Sequence, residues 1–166
     1  MTRTSIDALL ELISVAFPDS VPPREGDIVS DGAVDPECAE VRSALSGRRW
    51  QSLSDAEVGK LKDALPLLTG AAFCHYLPAY LVVCLRARAT ADTAWHSVIF
   101  ALTPPKRRSG PGWETFARRV AGLTAEQAKA ILAYLEHVDE IEADGAGVGL
   151  AKKVRVALDY WSQPER

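Results

Sequence analysis

TGAAFCHYLPAYLVVCL, residues 69–85, places Phe73, Tyr76, Leu77, Tyr80, Leu81, Cys84 and Leu85 at intervals of three and four. That spacing predicts one helical stripe, and Val82 and Val83 extend the apolar surface most of the way round. A helix that is apolar on most faces belongs at the centre of its domain, so a central helix over about residues 70–88 is expected. Pro78 lies inside it, lacks an amide donor and crowds the carbonyl of Cys74, which predicts a kink or a break. Ala71 to Leu85 is the most apolar run, but His75 and Pro78 interrupt it. It also falls short of the roughly 20 residues that a bilayer span requires. A buried helix is expected, and no membrane partner.

Working upstream, Ile6, Leu9, Leu10, Leu12, Ile13 and Phe17 predict an amphipathic helix over about residues 5–16, with Thr4 as N-cap and Asp7 in the first turn. Pro18 ends it. Residues 19–35 then form a long acidic connection, until Asp35, Pro36 and Glu37 open a second helix that Gly47 stops. Ser54 and Glu57 form a capping box for a third helix running to about Leu65, and Thr69 is placed to cap the central one.

Downstream, Asp92 is placed to cap a helix carrying Trp95, Val98, Ile99 and Leu102, which ends at Pro104 and Pro105. A short basic loop, Lys106 to Gly112, leads to a weak helix over residues 113–120. Thr124 and Gln127 form a second capping box before Ala128, Ile131, Leu132, Leu135 and Val138. After Gly145, Gly147 and Gly149, a last helix over about residues 150–161 buries Val154, Ala157, Leu158 and Trp161 and turns Lys152, Lys153 and Arg155 outward. No run alternates with period two. The expected fold is therefore all-α, a single domain spanning residues 1–166: an irregular or orthogonal bundle of six to seven helices around the kinked central one.

A chain of 166 residues that is 48% apolar and 25% charged has the composition of one globular domain and not of a disordered or fibrous protein. The net charge of -3 is unevenly divided: residues 1–40 carry -7, 41–90 carry +4, 91–123 carry +3, 124–148 carry -5, and the remainder carries +2. Such a mosaic argues against a general nucleic-acid coat and fits a charge-steered protein partner. Cys38, Cys74 and Cys84 form no close pair, so a reducing cytoplasm is expected. Asp7 and Glu11 interrupt what would be the apolar core of a secretory leader.

Several stretches together resemble a bacterial helical domain family of unknown function. They are Asp27-Ile28-Val29, Gly47-Arg48-Arg49-Trp50, Leu68-Thr69, the Phe73 to Leu81 element, Phe100 to Pro105, Leu123-Thr124 before Gln127, and Tyr160-Trp161. The Tyr76-Leu77-Pro78-Ala79-Tyr80-Leu81 segment is the most specific of these, and the chain departs from the family pattern at Cys74-His75. The resemblance implies a compact helical fold and brings no catalytic residues with it.

Cys74 beside His75 evokes an activated thiolate, yet neighbouring helix residues point about 100° apart, so a core cysteine and a rim histidine are expected. No cysteine or histidine pair has zinc-site spacing. Gly145 to Leu150 resembles a phosphate loop, but no strand precedes it and no Lys-Ser or Lys-Thr closes it. Ser97 beside His96, and Ser109, lack the elbow of a serine hydrolase.

The function expected is a non-enzymatic protein-binding module, most concretely an immunity or antitoxin-like inhibitor of a partner protein. Asp27, Asp31, Glu136, Asp139 and Glu140 are its candidate contacts. Catalytic residues, metals and cofactors are not expected. One alternative is a small enzyme with a site near His75, Tyr76 and Tyr80. Another is a nucleic-acid binder using Lys106, Arg107, Arg108, Arg118 and Arg119, with Trp113 and Phe116 between them to stack bases.

Overall fold

The computed structural model describes residues 5–30, 35–86, 92–145 and 150–163, with the side chains of Asp92 and Thr93 excepted. Among them are eight α-helices: α1 Ile6–Ala16, α2 Pro36–Leu45, α3 Asp55–Lys60, α4 Gly70–Arg86, α5 Asp92–Leu102, α6 Pro111–Val120, α7 Ala125–Ala143 and α8 Ala151–Trp161. Short 3-10 turns occur at Glu25–Asp27, Trp50–Ser52 and Leu65–Leu67. No strand forms among the described residues. A single antiparallel bridge pairs Val29 with Leu68.

Helix α4 is the centre. From Ala72 to Leu85 every residue except Cys74 is buried, and α1, α3, α5 and α6 all pack against it. Of the kink or break expected at Pro78, the break does not occur, since α4 continues through that residue. Thr69 caps it as expected, its hydroxyl accepting from the Ala72 amide at 3.2 Å. The same hydroxyl donates to the Asp27 carbonyl, and the Thr69 amide donates to the Ile28 carbonyl at 3.0 Å. The acidic connection is thus pinned to the start of α4, with Ile28 and Val29 in the core.

Both capping boxes form, Ser54 with Glu57 and Thr124 with Gln127. Several helix ends differ from the sequence reading: Asp92 is the first residue of α5 and not its cap, and α6 starts at Pro111 instead of at residue 113. Ser5, not Thr4, caps α1, accepting from the Ala8 amide. Helix α3 ends at Lys60 instead of near Leu65: Gly59 weakens its last turn, and the Tyr80 hydroxyl takes the Leu61 carbonyl at 2.7 Å.

The close approach of α4 to α6 depends on Gly70. A Cβ there would stand 2.7 Å from the Arg118 carbonyl oxygen. On the far side, α7 packs on α1 and α8, and Tyr134 of α7 meets Trp95 of α5 at 6.0 Å between ring centroids.

Candidate functional site

A feature that chemistry can use is a groove formed by the end of α5, the proline-rich segment after it, α6 and α8. Helix α5 stops because Thr103 folds its hydroxyl back to the Ile99 carbonyl at 2.6 Å and Pro104 offers no amide. Trp161 of α8 takes the freed Leu102 carbonyl through Nε1 at 2.8 Å. Helix α6 is held to α8 by an aromatic cluster, in which Tyr160 lies edge-on to Phe116 at 5.2 Å and to Trp113 at 6.2 Å.

These anchors leave a hollow of about 770 Å³ between the three helices. Phe100, Pro104, Pro105, Pro111, Phe116 and Val156 make it apolar. Phe100 and Val156 are 60% and 40% exposed, which is unusual for side chains of their kind. Lys106, Arg119, Lys152 and Lys153 are the charged residues of the lining, and no Asp or Glu among the described residues joins them. Lys153 Nζ lies 4.7 Å from the centre of the Phe100 ring, a cation–π contact. Arg119 is half-buried, and burial lowers its pKa. Its Nη2 donates to the Pro66 carbonyl at 3.2 Å, while its buried Nε has no acceptor among the described residues. A smaller hollow of about 270 Å³ adjoins the groove through Phe100 and Lys153 and contains Ser97, whose hydroxyl donates to Asp63 Oδ1 at 3.1 Å.

The structure divides the basic set predicted for nucleic acid. Lys106 and Arg119 face the groove. Arg108 lies over the Trp113 and Tyr160 rings and donates to Gln163, while Arg107 and Arg118 are exposed. Phe116 is buried and Trp113 half-buried against α8, so their faces are taken up by helix packing.

The acidic candidates occupy separate places. Asp27 is exposed in the 3-10 turn between α1 and α2, Glu136 is exposed on α7, and Asp139 and Glu140 are half-buried there. Asp139 pairs with Arg155 at 3.9 Å. Asp31 lies outside the described residues, as do Gly147 and Gly149. Glu142, next to this run, serves the fold. Its Oε2 accepts from the amides of Leu150 at 2.8 Å and Ala151 at 3.0 Å, capping α8.

Around Pro78, the expected core cysteine and rim histidine exchange places. His75 is buried and Cys74 half-buried. His75 Nδ1 is 3.0 Å from the hydroxyl of Ser20, a partner 55 positions away that no local pattern announces. Burial pulls the imidazole pKa below its usual value, against the opposing pull of the Arg48 carbonyl and the Asp19 carboxylate. Cys74 Sγ faces the Arg119 carbonyl at 3.8 Å, and burial raises its pKa to about 11, so it is a thiol at neutral pH. Tyr76 donates to the Leu45 carbonyl at 2.6 Å and Tyr80 to that of Leu61. Burial raises both pKa values. His75 and Tyr76 meet edge-on at 4.7 Å between ring centroids beside the Arg48 carbonyl, to which the Tyr76 hydroxyl also lies at 3.0 Å, while Tyr80 is directed to the separate Leu61 carbonyl.

Among the described residues, no group of three or more His, Cys, Asp or Glu is placed to hold a metal, and no helix is long and apolar enough to cross a membrane. Cys38, Cys74 and Cys84 are free thiols.

Residues 9–165 match the family described as Family of unknown function (DUF6714). No curated protein and no solved structure matches the chain.

Proposed function

The chain belongs to that family of unknown function, and on this premise we propose that it is a non-enzymatic protein-binding module acting in a bacterial cytoplasm. Its most concrete form is an inhibitor that works by occupying a partner protein, as an immunity protein or antitoxin does. The observation that carries the proposal is the groove of α5, α6 and α8: an apolar hollow with Phe100 and Val156 exposed beside it and, among its described lining, cations as the only charged side chains. Exposed apolar surface framed by polar groups marks interaction sites on folded proteins. The free thiols suit a reducing compartment.

The test uses a photo-crosslinking amino acid placed at Phe100, at Glu136 on α7, or at the exposed Glu126 as a control. Cells expressing each variant are irradiated and the adducts identified by mass spectrometry. A single protein adduct at position 100, lost when Lys152 and Lys153 are changed to Glu, is the expected result. Adducts confined to position 136 would move the docking surface to the acidic face of α7. Nucleic-acid adducts at position 100 would overturn the protein-binding reading.

A further inference from the structure

We infer that the element docking in this groove is an acidic amphipathic segment of the partner: apolar side chains enter between Phe100, Phe116 and Val156 while carboxylates meet Lys106, Arg119, Lys152 and Lys153. The inference rests on the protein-binding reading above and adds the partner's chemistry to it.

Charge complementarity carries it. Every ionisable side chain among the groove's described lining is basic, although the chain as a whole is net negative. Lys106, Lys152 and Lys153 have no carboxylate partner among the described residues, whereas Arg48, Arg49 and Arg155 elsewhere on the surface pair with Glu57, Asp19 and Asp139. The N-terminus of α6 adds to the same field. Its N-cap, Gly110, supplies no side-chain acceptor, Pro111 carries no amide hydrogen, and Gly112 lines the groove without a side chain. A helix start carries partial positive charge, which the first-turn carboxylate of Glu114 partly offsets, so the lysines and Arg119 supply most of the field that favours a negative group here.

The apolar content excludes a purely electrostatic ligand. A bare polyanion would leave Phe100 and Val156 in water, while an uncharged apolar segment would bury the lysines' surroundings and leave their ammonium groups without counter-charge. Only a ligand that carries both kinds of group satisfies both parts of the lining. A hollow of about 770 Å³ also has the size of a site for a compact ligand, so it takes a few side chains of a segment and not a broad protein face.

The probe is a random-peptide display library selected against the whole protein, with the selected peptides re-measured on variants. Peptides that combine Asp or Glu with Leu, Phe or Trp are expected. Their affinity should fall about tenfold or more with Lys152→Glu/Lys153→Glu, and should weaken as salt rises from about 0.05 to about 0.5 M. Both lysines are exposed in the first turn of α8, where an acidic replacement suits the helix, so these variants fold. Peptides with no excess of acidic residues that are still lost with Phe100→Asp would overturn the acidic inference and leave the docking reading standing. If no selected peptide responds to Phe100→Asp, the docking reading falls as well. Dodecanoate, a carboxylate with an apolar tail, is the competing probe: if it occupies the groove and the selected peptides do not, the ligand is a small amphiphile and the inference is overturned.

Discussion

Tyr76, Leu77 and Tyr80 stand side by side on α4 and contribute in different ways. Leu77 is fully buried, so Leu77→Ala removes contacts and leaves a cavity, at a cost of about 2–5 kcal/mol. Tyr80→Phe keeps the ring and removes only the bond to the Leu61 carbonyl, costing about 0.5–1.5 kcal/mol because that carbonyl keeps the Ala64 amide at 3.0 Å. Urea denaturation of both variants should preserve that order, and equal losses would mean that the hydroxyl matters as much as the packing. His75 gives a pH signature. Its folded pKa lies below the usual 6.5, so the unfolded chain binds the proton more readily, and stability falls as pH drops through about 6.5 toward the folded value. Melting curves from pH 8 to pH 5 should show this loss, and it should be smaller in His75→Gln. Sequence reading found the stripe of Tyr76, Leu77, Tyr80 and Leu81, all of them buried, because a spacing of three and four is legible locally. It missed Ser20 against His75, because that contact joins a loop to a helix with no periodicity linking them.

At the level of elements, the starts of helices were more legible than their ends. Capping boxes are short, local and chemically explicit, and both formed. The end of α3 was set instead by Tyr80, a residue of another helix, reaching for the Leu61 carbonyl. Likewise carboxylates at the end of α7 run against the helix dipole, but Glu142 among them caps α8. Glu142→Ala should cost about 0.5–2 kcal/mol, the range for loss of a helix cap, with Glu142→Gln recovering part of it through its remaining oxygen; thermal unfolding decides. Gly70 gives a sharper case. In a free helix Gly→Ala is stabilising by up to about 1 kcal/mol, but here the added methyl meets the Arg118 carbonyl at 2.7 Å, which is backbone and cannot swing aside. Gly70→Ala should therefore destabilise by about 1–3 kcal/mol, and a gain in melting temperature would show that α4 and α6 separate freely.

At the level of the whole molecule, the charge mosaic was readable by counting along the chain, but the groove was not, because it is assembled from residues 100–106, 111–119 and 152–156. A trace of it was present: Phe100 falls off the Trp95, Val98, Ile99, Leu102 stripe, and Val156 stands between Arg155 and the buried Ala157. Apolar residues that break an amphipathic pattern outward have no core to serve, and this separates a binding surface from a packing one. Phe100→Ser with Val156→Thr should change the unfolding free energy by no more than about 0.5 kcal/mol, as exposed positions do. Phe116→Ala, on the same groove but buried, should cost about 3–5 kcal/mol. Differential scanning calorimetry of the two variants beside the parent makes the comparison. If the first pair proved as costly as the second, Phe100 and Val156 would belong to the core in solution, and the groove would be packing left partly open instead of a surface kept for a partner.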